Sequence, residues 1–212
     1  MNANRIKFHH APNSRSGSTL MLLEELGAQY DMHVMNLTQG EQRRPEYLKI
    51  NPMGKVPAIE HLDGLVTERP AIFTYLADLY PEADLAPGLR DPLRGPYLRW
   101  LAFYGSCFEP AVMDRFMKHE PAPVSTCPYG DFDTVMDTIE AQLTPGPWLF
   151  GERFTAADIL WASALDWTMK FGIVPRRDVF EQYVARLMVR PAIVRAVAQD
   201  TALARAQTLA AA

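Results

Sequence analysis

The run Asn51-Pro52-Met53-Gly54-Lys55-Val56-Pro57-Ala58-Ile59 constrains this chain more than any other stretch. Pro52 and Gly54 stop whatever precedes them and force a turn. Pro57 stands at the mouth of an apolar strand, where a proline has no amide to give to a ladder. With a cis Val56–Pro57 bond, the N–H and C=O of Val56 stay free and point outward, a docking edge for an extended peptide. Otherwise the run is an ordinary turn in front of an edge strand.

The segments before and after this run fall into a definite order. Ile6–His10 reads as a short strand, broken by the turn and capping residues of Ala11–Ser18. A helix follows through Leu20, Leu22, Leu23 and Leu26 and stops at Gly27. Tyr30–Leu37 reads as a second strand, so the two strands enclose a helix and should be parallel. Glu41–Ile50 is a short surface helix. Val56–His61 and Leu65–Thr67 form a hairpin about Asp63-Gly64. Glu68–Tyr80 has Ile72, Tyr75, Leu76 and Leu79 at helical spacing and closes at Pro81.

From Pro81 to Pro96 the composition shifts to Pro81, Pro87, Pro92, Pro96, Gly88 and Gly95, which marks a linker. Beyond it every pattern is helical. Tyr97–Phe108 carries one stripe of Tyr97, Leu101, Tyr104 and Phe108 and another of Trp100, Phe103 and Cys107, so it should be a central, doubly covered helix kinked at Pro110. Phe132–Leu143 is a further helix. Thr155 and Asp158 form a capping box ahead of a helix through Ile159, Leu160, Leu165 and Met169. In that box Asp158 is a fold residue. Phe180–Leu187 and Ala192–Leu203 complete the set, split at Arg190-Pro191. The expected organisation is a first domain over 1–81, a linker over 82–94 and an all-helical domain over 95–212.

Charge and cysteine usage narrow the function classes. A net charge of −4 argues against a nucleic-acid partner, and no polybasic run points to a membrane surface. The first residues lead into no long apolar run, and no stretch approaches the roughly 20 apolar residues of a membrane span, so a cytoplasmic protein is expected. Cys107 and Cys127 have no Cys-x-x-Cys spacing, which argues against a disulfide framework or a thiol redox pair. His9 and His10 alternate to opposite faces of their strand, and His119-Glu120 sits in a loop, so no metal site is expected.

The runs NPMGKVPAI, TERPAIFTYLADLYP and FTAADI, at these separations, resemble the glutathione S-transferase family over nearly the whole chain, and SRSGSTLMLLEELG is similar to the first helix of bacterial members. The resemblance implies an α/β, thioredoxin-like N-terminal domain, an all-α C-terminal domain and a homodimer. It also implies glutathione as co-substrate, with no metal. Its thiolate would attack a small hydrophobic electrophile, a detoxification reaction.

Onto this chain the resemblance carries the following roles. Ser14 aligns with the hydroxyl of serine-using classes, Ser16 is the second choice, and Arg15, where one bacterial class has cysteine, is a charge stabiliser. Val56 beside Pro57 would pair with the cysteinyl backbone of glutathione, and Glu68 would accept from the γ-glutamyl ammonium. The family follows that acid with serine, whereas this chain has Arg69, which either pairs with a carboxylate or points into solvent. Lys55 and Gln42 are candidates for the glycyl carboxylate. Tyr104, Cys107, Met113, Phe116 and Met117 are candidates for the electrophile site. The Arg69 departure keeps open an alternative, a non-catalytic ligand- or partner-binding protein of the same family. A glutathione-dependent thiol reductase is disfavoured because position 15 is arginine and the first helix region has no cysteine.

Overall fold

A computed structural model describes residues 5–120 and 122–210. The first part of the chain runs β1 (Ile6–His10), α1 (Gly17–Glu25), β2 (Tyr30–Val34), α2 (Pro45–Leu48), β3 (Ala58–His61), β4 (Gly64–Val66) and α3 (Arg69–Leu79). The second runs α4 (Arg94–Phe103), α5 (Glu109–Met117), α6 (Phe132–Leu143), α7 (Ala156–Lys170), α8 (Asp178–Met188) and α9 (Pro191–Ala210). Packing divides the chain into two compact units. One takes in the chain to Ala83 together with the segment from Arg190; the other is Asp84–Val189.

The first unit is built on a four-stranded sheet in the order β2-β1-β3-β4. β1 and β2 are parallel, as a strand–helix–strand crossover requires, with His10 opposite Val34. β3 runs antiparallel to β1 with His9 opposite Ala58, and β4 runs antiparallel to β3 with Ile59 opposite Val66. Ile6, Phe8, Leu20, Leu22, Leu23, Ile59, Ile72, Phe73 and Leu76 are buried in its core. The stretch read as a surface helix over Glu41–Ile50 is instead a 3-10 turn, Glu41–Arg43, followed by the single turn of α2. Pro45 explains the break, since it has no N–H to continue a helix and is favoured at the first helical position.

Helix α9 belongs to this unit. It lies along α1, and charged pairs fasten the two: Arg190 with Glu25, and Arg195 Nε 3.3 Å from Glu24 Oε2. Further along, Gln207 Nε2 donates to the Met35 carbonyl at 3.1 Å. The structure thus adds to the sheet unit a segment that its place in the sequence would group with the helical half.

In the second unit Trp161 of α7 is fully buried, and the rings of Trp100, Tyr104 and Phe108 meet it edge-on at centroid distances of 5.5, 5.4 and 5.2 Å. Between α4 and α5 the chain makes a π-turn, Tyr104–Phe108, directly before Pro110. Proline cannot supply the hydrogen bond of the helical register, and the wider turn absorbs the loss where a kink was expected. The capping box forms as read: Thr155 N and Oγ1 donate to Asp158 Oδ2 at 2.8 and 2.9 Å. Among the described residues, no helix is long and apolar enough to cross a membrane.

Candidate active site

Topology gathers the first-unit candidates. β1 runs antiparallel to β3, so the loop after β1 and the turn before β3 lie at the same end of the sheet. β4 returns antiparallel to β3, which brings its exit and the start of α3 to that end too. The Ser14 loop, Val56–Pro57 and Glu68-Arg69 therefore share one edge. The N-termini of α1 and α3 also open there, and helix N-termini favour anions.

The Val56–Pro57 bond is cis. In front of it the Lys55 carbonyl is held twice, by Tyr47 Oη at 2.6 Å and by Asn51 Nδ2 at 2.9 Å. Burial pushes the Tyr47 phenol up to about 12, so it remains a donor at neutral pH. Among the described residues, no hydrogen bond engages the amide or carbonyl of Val56. Lys55 itself is exposed, and Gln42 is half-buried with an unpartnered Oε1.

Gly54 makes this turn possible. Its φ is +60°, and an added Cβ would sit 2.8 Å from the Gln42 carbonyl oxygen and 2.7 Å from Arg43 Nη1. The carbonyl is backbone and cannot swing away. Gly54→Ala is expected to destabilise the protein by about 1–3 kcal/mol, the range for a strained left-handed residue. An unchanged denaturation midpoint would show that the turn refolds around the methyl group.

In the loop before α1, Asn13 adopts a positive φ of 55°, which its short side chain tolerates. Ser14 is half-buried; its Oγ donates to the Ala11 carbonyl at 2.7 Å and accepts from Ser16 N at 3.1 Å. Ser16 is fully buried. Its Oγ lies 2.8 Å from Ser14 Oγ and 2.9 Å from His10 Nδ1, and it accepts from Ala11 N at 3.0 Å. Neither serine caps α1 in the ordinary sense, since the N-cap residue Ser16 makes no side-chain cap hydrogen bond. Ser14 is the hydroxyl nearer solvent, and Ser16 stands behind it. Arg15 is half-buried between them in sequence.

Glu68 is exposed with φ 60° and ψ 116°, outside the basins usual for a glutamate. Arg69 is only 8% exposed, so it does not point into solvent as one reading allowed. A guanidinium at that burial is held by acceptors.

The second-unit candidates divide. Tyr104 is 1% exposed, and its hydroxyl donates to Glu109. It belongs to the Trp161 core, which corrects its assignment to a substrate wall: the stripe read as pocket lining is packed inside. Cys107 is half-buried, and Met113, Phe116 and Met117 are exposed on α5. A cleft of about 640 Å³ within this unit is lined by Arg99, Trp100, Gln142, Trp148 and Phe150 among others, and by none of those five candidates.

Sequence reasoning missed two residues. His10 is fully buried, and its Nε2 lies 3.0 Å from Asp200 Oδ1 on α9. Asp200 Oδ2 accepts from Asn13 N at 3.1 Å, across 187 residues of chain. The signal was present: Asp200 continues the buried stripe of Ile193 and Ala196 at helical spacing, an acid where an apolar residue belongs. His9 faces the other way. Its Nε2 donates to Glu60 Oε1 at 2.7 Å and its Nδ1 lies 3.0 Å from His33 Nδ1, and burial, partly offset by Glu60, lowers its pKa. Among the described residues, no group of His, Cys, Asp and Glu is placed to hold a metal.

Comparison with known proteins gives a consistent picture. Residues 4–78 match the family model described as "Glutathione S-transferase, N-terminal domain", and residues 129–186 match "Glutathione S-transferase, C-terminal domain". The chain is 30% identical over 155 residues to glutathione S-transferase F10 of Arabidopsis thaliana, covering 68% of this chain and 72% of that protein. It is 28% identical to the disulfide-bond oxidoreductase YfcG of Escherichia coli strain K12, over 91% of this chain and 94% of that one. A solved structure of a sphingomonad glutathione S-transferase complexed with glutathione superposes with a TM-score of 0.75 at 26% identity, over 92% of this chain and 98% of that one.

Proposed function

The chain belongs to the glutathione S-transferase family, and on that premise we propose that it is a glutathione transferase in which Ser14 stabilises the thiolate for attack on a small hydrophobic electrophile. The observation that carries this reading is the common edge: a half-buried hydroxyl, an unpaired Val56 backbone and an exposed Glu68 meet at one end of the sheet. A tripeptide laid along that edge finds a partner for each part. Val56 pairs with the cysteinyl backbone, Glu68 accepts from the γ-glutamyl ammonium, and Ser14 meets the thiol. Arg69 supplies charge for the γ-glutamyl carboxylate in place of a hydroxyl, and Lys55 and Gln42 are the groups for the glycyl end.

The energetics close. A free thiol has a pKa near 8.5, and lowering it by two units requires about 2.7 kcal/mol of preference for the thiolate. One hydroxyl hydrogen bond to an anion supplies about 1.5–3 kcal/mol. The α1 N-terminus adds up to about 2 kcal/mol. Serine has no basicity to remove the proton, so its part is donation to S⁻. The electrophile, the homodimer, the cytoplasmic location and the role in detoxification belong to the same proposal.

Calorimetry with glutathione tests it at the binding step. Glutathione should bind with a dissociation constant below the millimolar range, and S-methylglutathione should bind comparably, because the backbone and terminal contacts are shared. The burial of Arg69 beside Glu68 favours one rival, a family member that holds a ligand or partner without turnover. Binding of glutathione without conjugation of a panel of aryl halides and α,β-unsaturated carbonyls would select that rival. No heat at millimolar glutathione would end the transferase reading.

A further inference from the structure

We infer that His10 and Asp200 are positioning residues that receive the thiol proton through Ser16 and thereby aim the Ser14 hydroxyl at the thiolate. The inference rests on the functional reading of Ser14 given above. Its basis is a continuous polar line: Ser14 Oγ, Ser16 Oγ at 2.8 Å, His10 Nδ1 at 2.9 Å from that, and Asp200 Oδ1 at 3.0 Å from His10 Nε2. Ser16 and the imidazole are fully buried, and the Asp200 side chain is 19% exposed. Asp200 is anchored from its other oxygen by Asn13 N. The Nε2–Oδ1 contact is short but off the N–H line, and among the described residues neither atom has another hydrogen-bond partner. The relay requires the carboxylate to turn until Oδ1 lies on that line.

Proton counting gives the line two consistent states. A carboxylate facing Nε2 requires a proton there, so a neutral His10 has its lone pair on Nδ1. Ser16 then donates to Nδ1, and its two lone pairs accept from Ala11 N and from Ser14 Oγ. As a glutathione thiol ionises, its proton moves to Ser14 Oγ in concert with passage of the Ser14 proton to Ser16 Oγ and of the Ser16 proton to Nδ1, so the imidazole is the base and the serines only relay. The products are a thiolate and an imidazolium paired with Asp200. In this second state His10 donates to Ser16, Ser16 to Ser14, and Ser14 to S⁻. Ser14's lone pairs are filled by Ser16 Oγ and Ser16 N, so its own proton faces the sulfur. No atom or charge is left over.

The same count explains an otherwise awkward arrangement. In the absence of ligand the single Ser14 proton is shared between the Ala11 carbonyl at 2.7 Å and Ser16 Oγ at 2.8 Å. Reversal of the Ser16 hydroxyl polarises Ser14 and favours its release toward the anion. Elsewhere on the packed pair of α1 and α9, Glu24 pairs with Arg195 and Glu25 with Arg190. Glu60 and Lys7 pair on the opposite face of the sheet with His9, leaving Asp200 as the acid in contact with His10.

The experiment follows the thiolate absorbance of bound glutathione against pH in the wild-type protein, His10→Gln and Asp200→Asn. Each substitution should raise the apparent thiol pKa by about one unit or more toward its free value, with the glutathione dissociation constant changed less than about threefold. In the wild type, nitrogen NMR of the imidazole should show Nδ1 becoming protonated on addition of glutathione and not of S-methylglutathione, a readout that needs no variant. Unchanged titrations in a folded Asp200→Asn, or an imidazole that stays neutral with glutathione bound and ionised, overturn the relay while leaving Ser14 as donor. A wild type with no bound thiolate at any pH overturns the functional reading and the relay with it.

Discussion

Ser14→Ala is expected to lower the glutathione conjugation rate by roughly 30- to 150-fold and to raise the apparent thiol pKa of the bound tripeptide. The figure follows from the loss of one hydroxyl donor to an anion, about 2–3 kcal/mol in a partly desolvated site. The thiol itself binds before it ionises, so glutathione affinity measured below its pKa should hardly move. Stability should fall by about 1 kcal/mol, since the hydroxyl also serves Ser16 N and the Ala11 carbonyl. Ser14→Thr preserves the hydroxyl and should recover part of the rate. Conjugation kinetics and thiolate titration at wild-type values in Ser14→Ala would remove Ser14 from the chemistry. The same variant leaves Ser16 and His10 in place, so it separates the donor from whatever stands behind it.

The parts of this site that were legible in the sequence are the ones fixed by local chemistry. Pro52, Gly54 and Pro57 dictate a turn and a strand entry because proline and glycine restrict φ and donors directly, and the fold follows that dictation. The hairpin at Asp63-Gly64, the crossover between β1 and β2 and the Thr155–Asp158 box are of the same kind, each readable within a few residues. Failures came where distance or packing decides. The stripe that carries Tyr104 is compatible with core packing and with pocket lining alike, and Trp161, 57 positions later, decides it by packing against the ring. Asp200 reaches the loop before α1 only because α9 folds back along α1, and no spacing rule spans that return. The family alignment ranks Ser14 ahead of Ser16, but nothing in the local sequence distinguishes two hydroxyls two residues apart. Burial separates them, and burial is a property of the packed unit.

The largest loss of stability is expected from Asp158→Ala. Asp158 is fully buried, and its carboxylate takes donations from Leu149 N at 2.8 Å, Thr155 N at 2.8 Å, Thr155 Oγ1 at 2.9 Å and Tyr183 Oη at 2.9 Å. Removing it orphans backbone and phenolic donors in a dry interior, at about 1–3 kcal/mol each, together with the cap of α7 at about 1 kcal/mol. The sum exceeds about 4 kcal/mol, and the melting midpoint of a chain this size should drop by about 10 °C or more. Asp158→Asn keeps the shape but turns an amide toward donors, so it should recover only part of the loss. The pH dependence identifies the mechanism. Burial pushes the Asp158 carboxyl up to about 6, against which the four donated hydrogen bonds pull down. An acid raised in the folded state above its unfolded value of about 3.9 binds more protons folded than unfolded between those two values. Its contribution is therefore full below about pH 4 and is lost as pH rises through about 6, by up to about 3 kcal/mol. The stability gap between the wild type and Asp158→Ala should narrow over that window and then level off, as read by denaturant unfolding at a series of pH values. A gap that stays constant or widens from pH 4 to 7 would mean that Asp158 is ionised throughout. The donors would then outweigh the burial, and the carboxylate would act in the core as a fixed anion holding α7, α8 and the turn at Leu149.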